Sequence, residues 1–203
     1  MAALVQSEHC VVDIHETFPK QTFRNRYSIF AANGILDLNV PVHKPGGNHT
    51  KTSEVLISSH AEVFSQHITA LESAYRSSPY FEFFFDDVLQ FFKGQYNTLV
   101  ELNTASLQCI GTILRHNFHV ECTRQFISPS ANTEEIMDFR TLISPKTKHF
   151  YEFPASPYYQ VFAQKHGFRG NLSILDLIFH IGPESFVYLQ SYPLKQFVAF
   201  LKK

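Results

Sequence analysis

The sequence predicts an α+β fold, in which a mostly antiparallel sheet from the N-terminal half packs against several helices. Three observations lead to this prediction. Runs with strand-like alternation cluster early in the chain, helical patterns follow them, and neither a repeated βαβ unit nor a glycine-rich phosphate loop is present. Because 203 residues can bury a sufficient core as one domain, residues 1–203 are predicted to form a single domain.

A β-hairpin is the clearest local signal. Asn33-Gly34 separates two alternating runs, and in the second run Leu36, Leu38 and Val40 alternate with polar residues. Asn and Gly tolerate the positive φ that a two-residue type I′ turn requires at both central positions. The sequence therefore predicts a hairpin with Asn33 and Gly34 in a type I′ turn.

Shorter strands are predicted on either side of the hairpin and later in the chain. Residues 10–14, 53–58 and 118–122 are short apolar or alternating runs, and residues 138–143 form a fourth candidate. The segment 42–52 reads as a surface loop that contains two histidines. No carboxylate or cysteine stands near them at a ligand spacing, so no metal site is predicted.

Three helices are predicted in the middle of the chain. A capping box at Ser59–Glu62 opens the first, which ends before Pro79. The second covers about residues 80–93, with phenylalanines on more than one face, and a capping box at Thr98–Glu101 opens the third. These patterns predict a helical layer with aromatic packing.

Short helices are predicted towards the end of the chain. One covers residues 158–166, and a capping box at Ser173–Asp176 opens another that stops at Gly182-Pro183. Residues 184–189 and 194–201 follow as amphipathic helices. The irregular segment 144–159 between the two halves is a candidate functional or mobile element.

Composition narrows the class of function. The net charge is −1, which provides no overall field for nucleic acid, so recognition of an anion must be local. Three cysteines without a paired motif favour a reducing compartment. No basic and apolar leader and no apolar run of membrane-spanning length is present, so a soluble, cytoplasmic protein is predicted.

A cluster of cations precedes the first arm of the hairpin. Lys20, Arg24 and Arg26, together with Asn25, lie within seven residues at the entry of a strand. The planar guanidinium donors of arginine suit carboxylate or phosphate, so the cluster is a candidate anion site. The alternative is a solvated basic strand end.

Two histidines are candidates for acid–base chemistry. His67 falls inside the apolar stripe of its helix, where it is either an ordinary core residue or a neutral imidazole kept for proton transfer. Asp176 and His180 are four residues apart and share a helix face. Such a pair is either a surface contact or the means of orienting a catalytic base.

Three stretches resemble the WbqC-like protein family. His15-Glu16 followed by Lys20 to Arg26 is similar to the family element HE-x-x-x-KQT-aromatic-RNR, and the strand Gly34 to Pro41 follows it. His67 with Tyr75 and Pro79-Tyr80-Phe81 resembles a second family segment. The third lies in Tyr158 to Phe162 and Gly167-Phe168, leading into Asn171 to Leu177 and Gly182-Pro183.

The resemblance implies a role in surface polysaccharide or O-antigen biosynthesis, as a transferase of glycine or another aminoacyl group to a sugar. It implies catalytic roles for Glu16, His67 and Asp176. It implies substrate binding by the remaining motif residues, which are Lys20, Arg24, Asn25, Arg26 and Tyr75. The resemblance does not identify a cofactor.

Two departures from the family pattern stand out. Val63 occupies the position where the family usually has Trp, and the usual Tyr/Phe-Pro segment upstream of Ala2-Ala3-Leu4 is missing. We therefore expect a single WbqC-like domain that lacks this N-terminal segment.

Three functions follow as hypotheses. The first is a transferase acting on a small-molecule or sugar-nucleotide substrate, and the second is a non-catalytic protein that binds an anionic glycan or sugar nucleotide in the same site. The third is an assembly subunit that associates with polysaccharide biosynthesis enzymes through residues 144–159.

Overall fold

The structure is a computed structural model that describes residues 1–58, 61–129, 137–147 and 150–202. Within these ranges the chain mixes helix and strand, which agrees with the α+β prediction. The strands are β1 (Cys10–Val12), β2 (Arg26–Ala31), β3 (Gly34–Asn39), β4 (Val42–His43), β5 (Leu56–Ile57) and β6 (Val120–Cys122). The helices are α1 (Ala2–Gln6), α2 (Ala61–Tyr75), α3 (Phe81–Lys93), α4 (Leu99–Leu114), α5 (Ala163–His166), α6 (Ile174–Ile181), α7 (Ser185–Ser191) and α8 (Leu194–Leu201).

The strands of the described chain form three separate two-stranded sheets. β2 pairs with β3 and β4 with β5, both antiparallel, whereas β1 pairs with β6 in parallel. A mostly antiparallel sheet is therefore not confirmed. The parallel pair needs a long connection between its strands, which the hairpin and α2 to α4 provide.

The hairpin is confirmed, but its turn is not the predicted one. The pairing runs from Arg26 opposite Asn39 to Ala31 opposite Gly34, so Ala32 and Asn33 make the turn. Neither of them has positive φ, while Gly34 has φ of 108°. The type I′ prediction is wrong because the pairing includes Gly34 and shifts the turn one residue towards the N-terminus.

The predicted strand at residues 138–143 is also wrong. The Arg140 N–H donates to Oδ1 of Asp138 at 2.9 Å, and the chain continues in a turn. Short Asp side chains that bond the main chain two residues ahead curl it away from an extended conformation. The capping box predicted at Ser59 lies outside the described residues.

Side-chain caps fix the start of α4 and α6. Thr98 accepts from the Glu101 N–H, and the Glu101 carboxylate accepts from the Thr98 N–H, so this capping box is confirmed. Ser173 caps α6 by accepting from the Leu175 N–H. The box predicted at Ser173–Asp176 is wrong, because the carboxylate of Asp176 is turned into the core.

One large core lies between the hairpin and the helices. Ile29 of β2, Leu71 and Tyr75 of α2, Leu99 of α4 and Ile178 of α6 have no exposed surface. Burial of such side chains stabilises the fold by roughly 1.5–3 kcal/mol each. The hairpin and α6 are therefore held by the same apolar contacts, although they are far apart in sequence.

A smaller core covers part of the irregular segment. Phe153 and Ala155 are buried against Phe197 of α8, and Phe150 and Tyr192 pack at its edge. The aromatic side chains that made residues 144–159 a candidate docking surface thus largely point inward. Residues 148 and 149 are not described, and Tyr159 is well exposed.

No helix of the described chain combines the length and the apolar character that crossing a bilayer requires.

Candidate functional site

A cavity of about 420 Å³ opens beside β2, and we call it the β2 pocket. Its polar wall consists of Arg24, Asn25, Arg26, Tyr27 and Ser28 together with His67, Asn103, Ser106, Asn171 and Ser173. Its apolar wall comes mainly from α2, α3 and α4, through Phe64, Val88, Phe91, Phe92, Leu102, Leu107 and Ile110. The pocket is therefore amphipathic, and two arginines are among its polar lining residues.

Arg24 reaches the β2 pocket from a short 3₁₀ helix, Phe23–Asn25, that Thr22 caps. Its Nε donates to Oε1 of Glu16 at 2.7 Å, its Nη2 pairs with the same oxygen, and its Nη1 donates to Oγ1 of Thr22 at 2.8 Å. Each terminal nitrogen retains a second N–H. Glu16 thus holds the guanidinium in place and neutralises part of its charge, but it does not line the pocket itself.

Arg26 is the second cation of the pocket. Its Nε donates to Oδ1 of Asn39 at 2.5 Å, and its Nη1 lies 3.4 Å from Oδ2 of Asp37. Both partners are on β3, so the hairpin itself orients the guanidinium. Its Nη2 has no partner among the described residues, which leaves that nitrogen available to a ligand.

Asn25 and Lys20 contribute less than their spacing predicts. The Asn25 side-chain amide donates to the Val40 carbonyl at 2.9 Å, and the Val40 N–H donates to the Asn25 carbonyl at 2.8 Å. Asn25 therefore ties the chain before β2 to the end of β3. Lys20 is exposed and lines neither of the two cavities described in this section.

His67 lies buried in the wall of the pocket, with both ring nitrogens bonded. Its Nε2 is 3.2 Å from the main-chain carbonyl oxygen of Asn39. A carbonyl oxygen only accepts hydrogen bonds, so Nε2 carries the hydrogen. Its Nδ1 then accepts from the Tyr27 hydroxyl at 3.2 Å. Burial lowers the pKa of His67, although the bond to Asn39 opposes that shift, so the ring is neutral.

Asp176 is fully buried and lies behind the pocket, next to the wall that Ser173 to Leu175 form. Its Oδ1 accepts from Tyr75 at 2.9 Å, and its Oδ2 accepts from Tyr158 at 2.5 Å and from Gln160 at 2.8 Å. Burial raises the pKa of Asp176 despite these hydrogen bonds. The same burial, with the nearby carboxyl, raises the pKa of Tyr75 and Tyr158.

Tyr75 and His180 complete this buried cluster. The Tyr75 hydroxyl also accepts from the Phe30 N–H at 3.1 Å, so Tyr75 links β2 to α6. His180 accepts from the Val161 N–H at 3.2 Å through Nε2, and its Nδ1 donates to the Asp176 main-chain oxygen at 2.6 Å. Its Nδ1 is 3.7 Å from the nearest carboxylate oxygen, so the bond that would orient a catalytic base is not made.

The structure thus divides the predicted site residues into two groups and leaves Lys20 outside both. Arg24, Asn25, Arg26 and His67 share the β2 pocket, and Glu16 contacts Arg24. Tyr75 and Asp176 lie together in the core and line neither cavity.

Sequence reasoning missed a charge cluster beside Glu16 and Arg24. Arg140 donates through Nη1 to Oδ2 of Asp13 at 2.8 Å and through Nε to both carboxylate oxygens of Asp138. Burial opposes ionisation of Asp13, but hydrogen bonds from Ile127, His15 and Thr123 and the charge of Arg140 lower its pKa. The only local signal is the Asp-x-Arg spacing at 138–140, which does not reveal the distant partner.

A second cavity, of about 700 Å³, also includes Arg24 in its lining. Exposed side chains of α4 form one wall and the region around β1 and β6 forms the other, so we call it the α4 groove. Arg24, Asn103 and Leu107 line both cavities. The β2 pocket and the α4 groove therefore meet at these three residues.

The described residues of the β2 pocket include neither a metal-binding group nor a thiolate centre. The described chain has no group of three or more His, Cys, Asp or Glu side chains placed to hold a metal ion. Cys109 lines the β2 pocket, but burial and the nearby Asp87 raise the pKa of its thiol to about 11. A thiol with that pKa stays protonated at neutral pH and is a weak nucleophile.

Comparison with known proteins places the chain in a family. No curated protein and no solved structure matches it. A match does exist to the WbqC-like protein family, over residues 1–147, and it includes Glu16, the Arg24 to Arg26 segment, His67 and Tyr75 but not Asp176. This range covers more than half of the sequence, so the chain belongs to the WbqC-like protein family.

Proposed function

We propose that this protein takes part in surface polysaccharide biosynthesis as a transferase that binds an anionic small molecule or sugar nucleotide in the β2 pocket. One observation carries the proposal. Two guanidinium groups and a neutral histidine, contributed by the segment 24–26 and by α2, line the same amphipathic cavity. Membership of the WbqC-like family gives the biological setting, as a hint at polysaccharide-related biosynthesis.

The cationic wall supports recognition of an anion. Nη2 of Arg26 and the outer N–H groups of Arg24 remain available after their internal bonds are counted. Arginine donors on a phosphate or carboxylate form charge-assisted hydrogen bonds, worth about 1.5–3 kcal/mol each. Since Glu16 and Asp37 already offset part of the positive charge, a ligand with one or two negative charges suits the site best.

The apolar wall supports a ligand with a flat or aliphatic body. Phe91 and Phe92 of α3 and Leu102 of α4 line the same cavity as the cations. A pocket of this kind buries an apolar group on one side and fixes its orientation through a few polar contacts on the other. Nucleotides and activated acyl compounds both combine an apolar portion with polar groups in this way.

His67 is the proposed proton acceptor of the transfer step. Its lowered pKa keeps the ring neutral, which a general base requires. The lone pair of Nδ1 is engaged by Tyr27, so substrate binding would have to displace that hydroxyl before the ring could accept a proton. The bond from Nε2 to Asn39 would hold the ring in place during the exchange. Asp176, from its buried position, would support the wall of the pocket.

A non-catalytic binding protein is the second candidate function. The observation that favours it is the complete use of both His67 nitrogens within the protein. In that case His67 is a brace for the hairpin, and the β2 pocket holds an anionic glycan or nucleotide without turnover. Assembly with other polysaccharide enzymes is compatible with either function.

Calorimetric titration tests the anion site. UDP-N-acetylglucosamine, uridine monophosphate, glycine and inorganic phosphate serve as probes, with wild type compared to Arg26→Ala and to the Arg24→Ala, Arg26→Ala double variant. Loss of one charge-assisted bond predicts roughly tenfold weaker binding for Arg26→Ala. Arg76→Ala is the matched control, since Arg76 is exposed and lines neither cavity. Equal affinity in all variants would exclude the anion site.

The variant His67→Gln separates the two functions. Glutamine can keep a neutral donor towards the Asn39 carbonyl but cannot act as a base. If the protein is a transferase, incubation with a binding probe and acceptor sugars gives product by mass spectrometry, and the variant is slower by about a hundredfold or more with similar affinity. Tight binding without turnover in wild type would support the binding protein.

A further inference from the structure

We propose that the α4 groove is a second ligand site, that it binds an uncharged polyhydroxylated molecule of the saccharide class, and that it is occupied together with the β2 pocket. The proposal rests on the proposed function in one respect, which is that the β2 pocket holds the first substrate. The α4 groove is larger than the β2 pocket, and no step described above uses it.

The side chains that α4 presents to the groove are uncharged and able to donate or accept. Thr104, Gln108 and Thr112 recur every four residues, so they form one row along the helix, and all three are exposed. Thr112 donates to the main-chain oxygen of Gln108 at 3.0 Å and can still accept. Hydroxyl and amide groups in a row match the alternating donors and acceptors of a sugar ring.

The charged groups of the groove floor are already paired. Asp13 is bonded to Arg140 and to three further donors, and Arg24 is bonded to Glu16. Their charges are therefore largely balanced within the protein. Arg115 is the C-cap residue of α4 and is exposed, so solvent screens its charge. A neutral ligand thus suits the body of the groove better than a multiply charged one.

An aromatic ring lines the groove next to Gly111 of α4. Phe118 is half-buried and contacts His116 edge to face, with ring centroids 5.1 Å apart. Gly111 allows the chain to turn back here, because a Cβ at that position would lie 2.8 Å from the His116 carbonyl oxygen. An apolar ring beside a row of polar side chains is suited to a sugar, whose C–H faces are apolar and whose edges are polar.

Two of the three residues that the α4 groove shares with the β2 pocket are polar. The Asn103 side-chain nitrogen donates to the Arg24 carbonyl at 3.0 Å, and both residues line both cavities. Two ligands bound at once would therefore approach each other at Arg24 and Asn103. This arrangement is what a reaction between a donor and a polyhydroxylated acceptor requires.

A ¹H–¹⁵N NMR titration with glucose, galactose, N-acetylglucosamine and maltotriose tests the site. We expect shifts for amides of α4 between Thr104 and Thr112. The variant Thr112→Trp should obstruct the groove and weaken sugar binding by about tenfold or more. Thr69→Trp is the matched control, because Thr69 is also an exposed helical threonine that donates to the main-chain oxygen four residues earlier, at 3.0 Å.

Arg26→Ala distinguishes this proposal from the proposed function. Arg26 lines the β2 pocket but not the α4 groove, so this variant should keep its sugar affinity while losing affinity for the anionic probes. The proposal is overturned if none of the four sugars shifts the α4 amides, if Thr112→Trp binds them as well as Thr69→Trp, or if an anionic probe bound in the β2 pocket displaces the sugar. Failure of every anionic probe with sugar binding intact would instead remove the function proposed for the β2 pocket.

Discussion

The hydroxyl of Tyr27 lies 3.2 Å from Nδ1 of His67, and Nε2 of the same ring lies 3.2 Å from the Asn39 carbonyl oxygen. Tyr27 is on β2 and Asn39 is on β3, so one imidazole of α2 joins both strands of the hairpin. The same contacts decide which nitrogen carries the hydrogen. The link between the two strands and the position of the hydrogen in this wall of the β2 pocket therefore both depend on the His67 ring.

His67 should be neutral near pH 7, with its hydrogen on Nε2. Long-range ¹H–¹⁵N NMR reads this directly, since the two ring nitrogens have distinct shifts when only one is protonated. Tyr27→Phe removes the donor to Nδ1 and should lower stability by about 1 kcal/mol without changing this tautomer. A hydrogen on Nδ1 in wild type would contradict the assignment.

The stability of the protein should fall in mild acid because of His67. The unfolded ring titrates near 6.5 and burial lowers the folded-state pKa, so the unfolded chain binds the proton more readily. The stabilisation is complete above 6.5 and is lost as pH falls towards the folded-state pKa. Urea unfolding should show a smaller loss for His67→Gln than for wild type over this range; equal losses would rule out the effect.

Asp176→Asn should destabilise the protein by about 2–4 kcal/mol. The amide nitrogen of asparagine cannot accept, so one of the donors Tyr75, Tyr158 or Gln160 loses its partner in a buried site. Urea unfolding at neutral pH measures the loss. Asp86→Asn is the control, since Asp86 is exposed on α3 and should change stability little.

The cost of Asp176→Asn should also depend on pH. The folded-state pKa of Asp176 is raised above the ordinary 3.8, so the stability of wild type falls as pH rises through the interval above 3.8. The asparagine variant lacks this term. The difference between the two proteins should therefore be larger in acid than at neutral pH, and the opposite trend would mean that the carboxyl is ionised more easily when folded.

Arg140→Met should cost about 2 kcal/mol at neutral pH, because it leaves Asp13 and Asp138 without their shared cation. The folded-state pKa of both carboxyls is lowered, so their contribution is present above 3.8 and is lost as pH falls through the lower folded values. Unfolding measured at both ends of this range should show the cost shrinking in acid. Arg76→Met, at an exposed ion pair, should have little effect at either pH.

Ser185→Ala should leave stability unchanged or raise it by up to about 1 kcal/mol. The Ser185 hydroxyl is fully buried and has no hydrogen-bond partner within the described structure, so alanine removes an unsatisfied polar group. Ser78→Ala is the matched comparison, because the buried Ser78 hydroxyl donates to the Tyr75 carbonyl at 2.5 Å. Thermal unfolding should therefore give a clearly lower melting temperature for Ser78→Ala than for Ser185→Ala.

Local signals in the sequence located most helices and the hairpin. Periodicity, the Thr98–Glu101 box and the Gly94 and Gly182 stops depend on neighbours in the chain, and the structure has them. The sheet arrangement was harder to predict from the sequence. The partner of β1 is β6, which begins 110 residues beyond the start of β1. Pairing at that distance leaves no pattern in either strand.

The same distinction holds for the candidate site: features set by neighbouring residues could be predicted, and features set by distant residues could not. The proximity of Arg24 to Arg26 and the burial of His67 could be predicted, since they depend on spacing and helical phase. The position of Asp176 could not, because an i,i+4 pair with His180 looks the same on a surface and in a core. The partners that place it, Tyr75 and Tyr158, come from separate parts of the chain.

The shared core of β2, α2 and α6 has a consequence for synthesis of the protein. The family match ends at residue 147, yet Ile178 and Phe179 of α6 belong to the same buried cluster as Ile29 and Tyr75. A nascent chain therefore cannot complete this core until α6 has left the ribosome. Until then Phe81 of α3 lacks the Phe179 ring, which lies 5.1 Å from it between ring centroids in the folded protein, and we expect this apolar surface to stay exposed during translation.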